Sequence, residues 1–192
     1  MDVAKRECIL DAAIRAFSKL GFKKTSVDDI AKDAGVAKGT VYLACESKED
    51  LFFQSVHREL RAWVAEGAKK IDPRRPADEL LVELSIWSVT QVDQRPLVRD
   101  LFVGMAAGAL PVTGERFEEL RAIGRANIEE LLRLGQKQGK FRKELDVASI
   151  AYVLQMWQQA GYVELVRKGN SKEDFARHQT AALDLVLRGL RA

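Results

Sequence analysis

The apolar residues of this chain recur at helical period along nearly its whole length, and nowhere do apolar and polar residues alternate long enough to make a strand. Glycine and proline fall between the apolar stripes. The pattern predicts an all-α protein. Ile9, Leu10, Ala13, Ile14, Phe17 and Leu20 form a first stripe that stops at Gly21, where a left-handed helix cap is expected. Ser26 stands three residues before Asp29, the spacing of a capping box, and opens a short helix through Ala34. Gly35 then permits a tight turn, and Val36 to Ala44 reads as a second short helix. Ser47 and Asp50 repeat the capping box ahead of a long helix carrying Leu51, Phe52, Val56, Leu60 and Trp63 toward Ile71.

The rest of the chain is punctuated the same way. Asp72 to Pro76 makes a join, and Pro76 followed by Asp78 and Glu79 begins another helix with acids at the positive end of its dipole. Pro96 and Pro111 divide the next apolar stretch into helices at about 77–93 and 96–108. A long helix carries Phe117, Leu120, Ile128, Leu131 and Leu134. Asp146 caps one bearing Ile150, Val153, Leu154, Trp157 and Val166, and Ser171 with Asp174 forms a third capping box ahead of Phe175, Leu183, Val186 and Leu190. About nine helices result, with no internal repeat.

Composition narrows the function classes. Lys+Arg 31 against Asp+Glu 28 leaves a net charge of only +3, so affinity for nucleic acid must come from local placement of basic residues. No stretch approaches a membrane span and no secretory leader is legible, so a soluble cytoplasmic protein is expected, with no membrane partner. Cys8 and Cys45 are expected to be reduced thiols. No nucleophile elbow, phosphate-binding glycine loop or zinc-binding His pair occurs, and His57 and His178 lack partners at catalytic or ligand spacing. An enzyme is therefore not expected, nor any catalytic residue, metal site or cofactor.

A supporting helix followed by two short helices joined at a glycine is the layout of a helix-turn-helix, here at about 26–45, whose second helix lies in the major groove of DNA. The text sharpens this: Ile9 to Ala13, Phe17, Gly21-Phe22, Thr25-Ser26-Val27, Ile30-Ala31, the block Ala34 to Tyr42, and Ser47-Lys48-Glu49. On these residues the chain resembles the tetracycline-repressor (TetR) family of bacterial regulators, from Arg6 to about Phe53. At the matched positions, Gly39 lets the helix backbone approach the duplex, and Thr40 can meet a base edge or a thymine methyl. Tyr42 and Lys48 offer donors to phosphates. Thr25 and Ser26 border an anion site at a helix N-terminus, and Lys23, Lys24 and Lys38 supply charge. Each has a plainer reading beside this one: a solvated loop for Lys23 and Lys24, capping for Thr25 and Ser26, and core packing for the Tyr42 ring.

The chain departs from the family pattern where Ala37 replaces a capping residue, Ala44 an aromatic or His, and Cys45 a Phe. A lost cap costs about 1 kcal/mol, which predicts a less rigid recognition helix. Cys45 beside a DNA-binding surface raises redox sensing, against the stronger reading of a small buried hydrophobe.

The resemblance implies a division into a DNA-binding domain at 1–50 and a helical ligand-binding and dimerisation domain at 51–192. It further implies a pocket among the middle helices, for which Trp63, Trp87, Gln91, Phe102, Met105, Phe117, Met156 and Trp157 are candidates suited to an apolar or aromatic effector, with ordinary core packing the plainer reading of each. The last two helices, at about 147–190, are expected to make a two-fold homodimer, so that the double-stranded DNA operator is a palindrome. The resemblance implies a repressor released by its small-molecule ligand, the commoner behaviour of the family, with activation as the alternative. The rival is a protein that sequesters a ligand or a partner and whose DNA head is weakened at Ala37, Ala44 and Cys45.

Overall fold

The computed structural model describes residues 2–106, 111–112, 114–168 and 171–192. Among them are nine α-helices and no strand: α1 (Val3–Lys24), α2 (Val27–Asp33), α3 (Lys38–Tyr42), α4 (Lys48–Ala68), α5 (Ala77–Gln91), α6 (Pro96–Ala106), α7 (Gly114–Lys137), α8 (Val147–Lys168) and α9 (Lys172–Leu190). The side chains of Met105, Val166, Asp174 and Phe175 lie outside the described residues, and with them the ligand role expected of Met105 and the capping box expected of Asp174.

Most boundaries follow from local chemistry. Gly21 adopts φ 74°, breaking the ideal path of α1 where the first stripe stops, and one further turn carries the chain to Lys24. Asp146 caps α8 by accepting from the amides of Ala148 and Ser149 at 3.1 and 3.2 Å. Three expected boundaries are corrected. The second helix of the helix-turn-helix spans Lys38–Tyr42 rather than Val36–Ala44, because Ala37 is extended at ψ 147° and serves as its N-cap. The long fourth helix ends at Ala68, where Lys70 and Ile71 donate to carbonyls three residues back and tighten the last turn. α5 ends at Gln91, and Val92–Gln94 forms a 3-10 turn before Pro96, which biases its predecessor away from helix.

The chain forms two compact units. The first comprises Met1–Leu60 and Asp93–Leu120. Its core is built from Ile9, Leu10 and Phe17 of α1, Ile30 of α2, Val41 of α3, Leu51, Phe52 and Val56 of α4, and Leu97, Val98 and Leu101 of α6. The Phe52 ring stands edge-on to Phe17 at 5.1 Å and packs against Phe22 at 5.2 Å, joining α4 to both sides of the Gly21 break.

The second unit comprises Arg61–Val92 and Arg121–Ala192. Leu80, Leu81 and Leu84 of α5 share a core with Leu131 and Leu132 of α7, Ala151 and Leu154 of α8, and Leu187 and Leu190 of α9. Phe141, in the turn after α7, folds back over Gly135, where any Cβ would meet its ring. A single bridge pairs Phe141 with Arg191, and Arg191 reaches the buried Asp78 of α5 at 3.1 Å.

Candidate nucleic-acid interface

The helix-turn-helix is assembled from short-range hydrogen bonds. The Asp29 amide donates to Ser26 Oγ at 3.1 Å, and the Ser26 hydroxyl donates back to the Asp29 carboxylate at 2.6 Å, so the carboxylate takes the hydroxyl rather than a backbone amide. α2 ends in a Schellman motif: Gly35, at φ 66°, donates to the Lys32 carbonyl, and Val36 donates to that of Ala31. α3 starts without a side-chain cap, since Ala37 has nothing to offer the Thr40 amide but its own carbonyl. Where α4 begins, the Asp50 amide donates to Ser47 Oγ, and the Asp50 carboxylate accepts from the Glu46 amide at 3.1 Å.

One residue anchors α3. Val41 is fully buried, while Gly39 is exposed, Thr40 half-buried, and Tyr42 and Leu43 are 47% and 75% exposed. A Cβ added at Gly39 would meet nothing, so packing within the chain does not require glycine there. Tyr42 therefore presents its ring as well as its hydroxyl to solvent.

The expected phosphate-binding residues are in five different situations. Lys23 and Lys24 are exposed in the last turn of α1. Lys38 is paired with Asp28 at 2.8 Å across α2 and α3, and this hydrogen bond raises its pKa. Lys48 holds its ammonium over the Phe22 ring, 4.4 Å from the centroid. Thr25 is 2% exposed, with its hydroxyl 2.8 Å from the Gly21 carbonyl and 3.2 Å from that of Ala16, so its side chain closes the α1 break from inside. Ser26 is half-buried and engaged in the cap.

Cys45 is buried, with its thiol 3.3 Å from the Val41 carbonyl. Burial, with the Asp50 carboxylate as a second cause, pushes its pKa up to about 11. The thiolate that redox chemistry requires is scarce near neutral pH, which favours the packing reading over the sensor.

Several contributors were not legible in advance. Asp50, at 7% exposure, also accepts from Gln54 Nε2 at 2.8 Å and forms an ion pair with Arg116 of α7 at 2.9 Å. Gln54 in turn accepts from Arg6 and donates to the Ala44 carbonyl. Arg58 of α4 pairs with Glu7 and Asp11 of α1, and Arg15 pairs with Asp33 of α2. These contacts tie α2 to α1, the segment after α3 to α4, and α4 to α1 and the first turn of α7. Leu43 carried a usable signal: an apolar residue off the stripe that buries Val41.

The ligand candidates divide between the units. Phe102 and Phe117 are half-buried in the first. In the second, the Trp63 and Trp87 rings stack at 6.0 Å, Gln91 is half-buried, and Trp157 packs partly against the core. Met156 is not in a core, being 46% exposed on the same stretch of α8 as exposed Tyr152 and Val153. Near the tryptophans, Asn127 Nδ2 donates to the Val64 carbonyl at 2.8 Å, and Gln158 donates to Ser85 at 2.8 Å. Among the described residues no group of His, Cys, Asp and Glu could hold a metal ion, and no helix is long and apolar enough to cross a membrane.

Residues 9–54 match the model of the bacterial regulatory proteins of the tetR family. The uncharacterized HTH-type transcriptional regulator YhgD of Bacillus subtilis is 33% identical over 79 residues, 41% of each chain. The HTH-type transcriptional repressor BepR of Brucella suis is 26% identical over 97% of this chain and 92% of its own. The chain spans under half the length of the first curated relatives it matches. These relatives are named as regulators, not as enzymes. The crystal structure of FadR from Bacillus subtilis, in complex with stearoyl-CoA, superposes with a TM-score of 0.73 at 20% identity, over 96% of this chain and 99% of that one, a likeness of fold.

Proposed function

We propose that this chain, whose residues 9–54 match the tetR-family model, is a ligand-responsive transcriptional regulator, acting as a repressor that binds a palindromic operator as a homodimer. The observation that carries the reading is α3: one buried anchor, Val41, and otherwise an open face with Gly39 at its centre, ready for close approach to a duplex. Residues 1–50 form the DNA-binding domain and 51–192 the ligand-binding and dimerisation domain. Lys23, Lys24, Tyr42 and Lys48 contact phosphates, Lys38 does so in exchange for Asp28, and Thr40 lies at the edge of the base-reading surface. Ser26 offers the capped start of α2 to a phosphate, and Thr25 supports it through the backbone.

The homodimer forms through α8 and α9. Tyr152, Val153 and Met156 on α8 and Leu185 on α9 are exposed apolar side chains, the kind of surface an isologous contact between packed helices covers. The effector is an apolar or aromatic molecule. Stacked Trp63 and Trp87, with half-buried Gln91 and Trp157 in the same unit, supply suitable side chains. Stearoyl-CoA in the structural neighbour FadR makes long-chain acyl compounds the first class to screen. The ligand acts only through its differential affinity for the DNA-competent and DNA-incompetent states.

The test is selection of bound duplexes from a random library by the purified chain at two salt concentrations. A palindrome enriched at both supports the dimeric regulator; failure of well-folded protein to enrich any sequence refutes it in favour of a sequestering protein. Monomeric sedimentation at micromolar concentration would remove the palindrome.

A further inference from the structure

Helix geometry fixes which side chain stands at the centre of the exposed face of α3. At about 100° per residue, Gly39 and Leu43 each lie about 200° from buried Val41 and only about 40° from one another. Leu43 is still helical, at φ −79° and ψ −19°, so this angular relationship extends to it. Gly39 contributes no side chain, and Thr40, about 80° off this axis by the same count, is half-buried. The foremost side chain on the face is therefore an aliphatic one, left 75% exposed by the folded chain.

Such a residue suits one base in particular. In the major groove guanine, cytosine and adenine present acceptors and donors that a leucine would desolvate without pairing, whereas thymine presents its 5-methyl group. Resting on the regulator reading above, we propose that Leu43 is a specificity-determining residue, selecting thymine at one position of each half-site by packing on that methyl. Its neighbours fit the assignment. Open Gly39 lets the backbone come near enough for a short side chain to reach the base, and Tyr42 flanks it toward the phosphates.

The experiment starts from the operator selected by the full chain and replaces each thymidine in turn by deoxyuridine, which lacks the methyl and keeps every hydrogen-bonding group. Wild-type affinity is expected to fall about four-fold per half-site at one position, the effect of one buried methyl-sized group. Leu43→Ala is expected to be insensitive at that position, to accept other bases there on renewed selection, and to keep the wild-type melting temperature and salt slope, since Leu43 is exposed. Wild-type protein that tolerates deoxyuridine everywhere, or a Leu43→Ala variant as sensitive as wild type, overturns the inference alone. Wild-type protein that selects no duplex overturns the regulator reading and this inference together.

Discussion

The carboxylate of Asp50 that caps the backbone ahead of α4 lies 2.9 Å from the guanidinium of Arg116 in the first turn of α7. The two ends of this contact are unequal. Asp50 is buried and holds three partners, Glu46, Gln54 and Arg116, while Arg116 is 43% exposed and also lies over the Phe53 ring at 4.9 Å. Removing Asp50 strands the Glu46 amide and frees Gln54, whereas removing Arg116 leaves the carboxylate still accepting from Glu46 and Gln54. Asp50→Ala is accordingly expected to lower unfolding free energy by about 1–3 kcal/mol, and Arg116→Ala by less than about 1 kcal/mol. Denaturant titrations of both variants check this; equal losses would mean that the ion pair, not the cap, dominates.

Gly39→Ala separates folding from binding. The helix is open at this position, and alanine is favoured over glycine in helices by about 1 kcal/mol, so the melting temperature is expected to stay level or rise. DNA affinity is expected to fall, because the added methyl stands where the backbone meets the duplex. A variant that melts lower, or that binds DNA as well as wild type, contradicts this placement.

Thr25 and the adjacent lysines give opposite signatures. Thr25→Val removes a hydroxyl turned toward Gly21 and Ala16 and is expected to cost about 1 kcal/mol of stability with the salt slope of DNA binding unchanged. Lys23→Ala and Lys24→Ala are expected to leave stability alone and to flatten that slope by about one unit each. Asp28→Asn releases Lys38 and removes a negative charge from the head, which is expected to tighten binding. Melting curves and binding isotherms at several salt concentrations distinguish the three.

The pH dependence of Cys45 has a definite sign. Its folded pKa of about 11 exceeds the ordinary thiol value of 9.0, so the folded state holds the proton more tightly. The associated stability is complete below about pH 9 and is lost as pH rises through about 11. Cys45→Ala is expected to be less stable near neutral pH and to show a shallower decline across that interval. In native protein a thiol reagent at pH 7.5 is expected to titrate exposed Cys8 rapidly and Cys45 only on unfolding. Rapid reaction of both would reinstate the redox reading.

Gly135 and Phe141 provide a packing test remote from the head. An alanine Cβ at Gly135 would stand 2.0 Å from the Phe141 ring, which is buried and pinned by the neighbouring bridge to Arg191. Gly135→Ala is expected to cost about 1–3 kcal/mol or more, whereas Gly189→Ala, with open space around it, should not destabilise. Similar melting temperatures for the two would show that the turn after α7 yields easily.

The sequence determined what is decided over three or four residues. Hydroxyl and carboxylate spacings at Ser26–Asp29 and Ser47–Asp50 placed two helix starts, and Gly21 and Gly35 placed the turns, because capping and positive φ are local properties of the chain. Even there, the short α3 escaped: Ala37 carries no polar atom to mark the N-cap, and the periodic residues on either side read as helix. Tertiary structure alone decided how each side chain is used. Lys48 reaches Phe22 across 26 positions of sequence, Asp50 gathers Arg116 from 66 positions away, and Thr25 turns inward because the Gly21 break leaves a carbonyl to satisfy. The partners of Lys48 and Asp50 are distant in sequence and adjacent only once the core around Phe17 and Phe52 has closed, so residue type and local spacing fixed the helices while packing fixed which charges are left to meet a ligand.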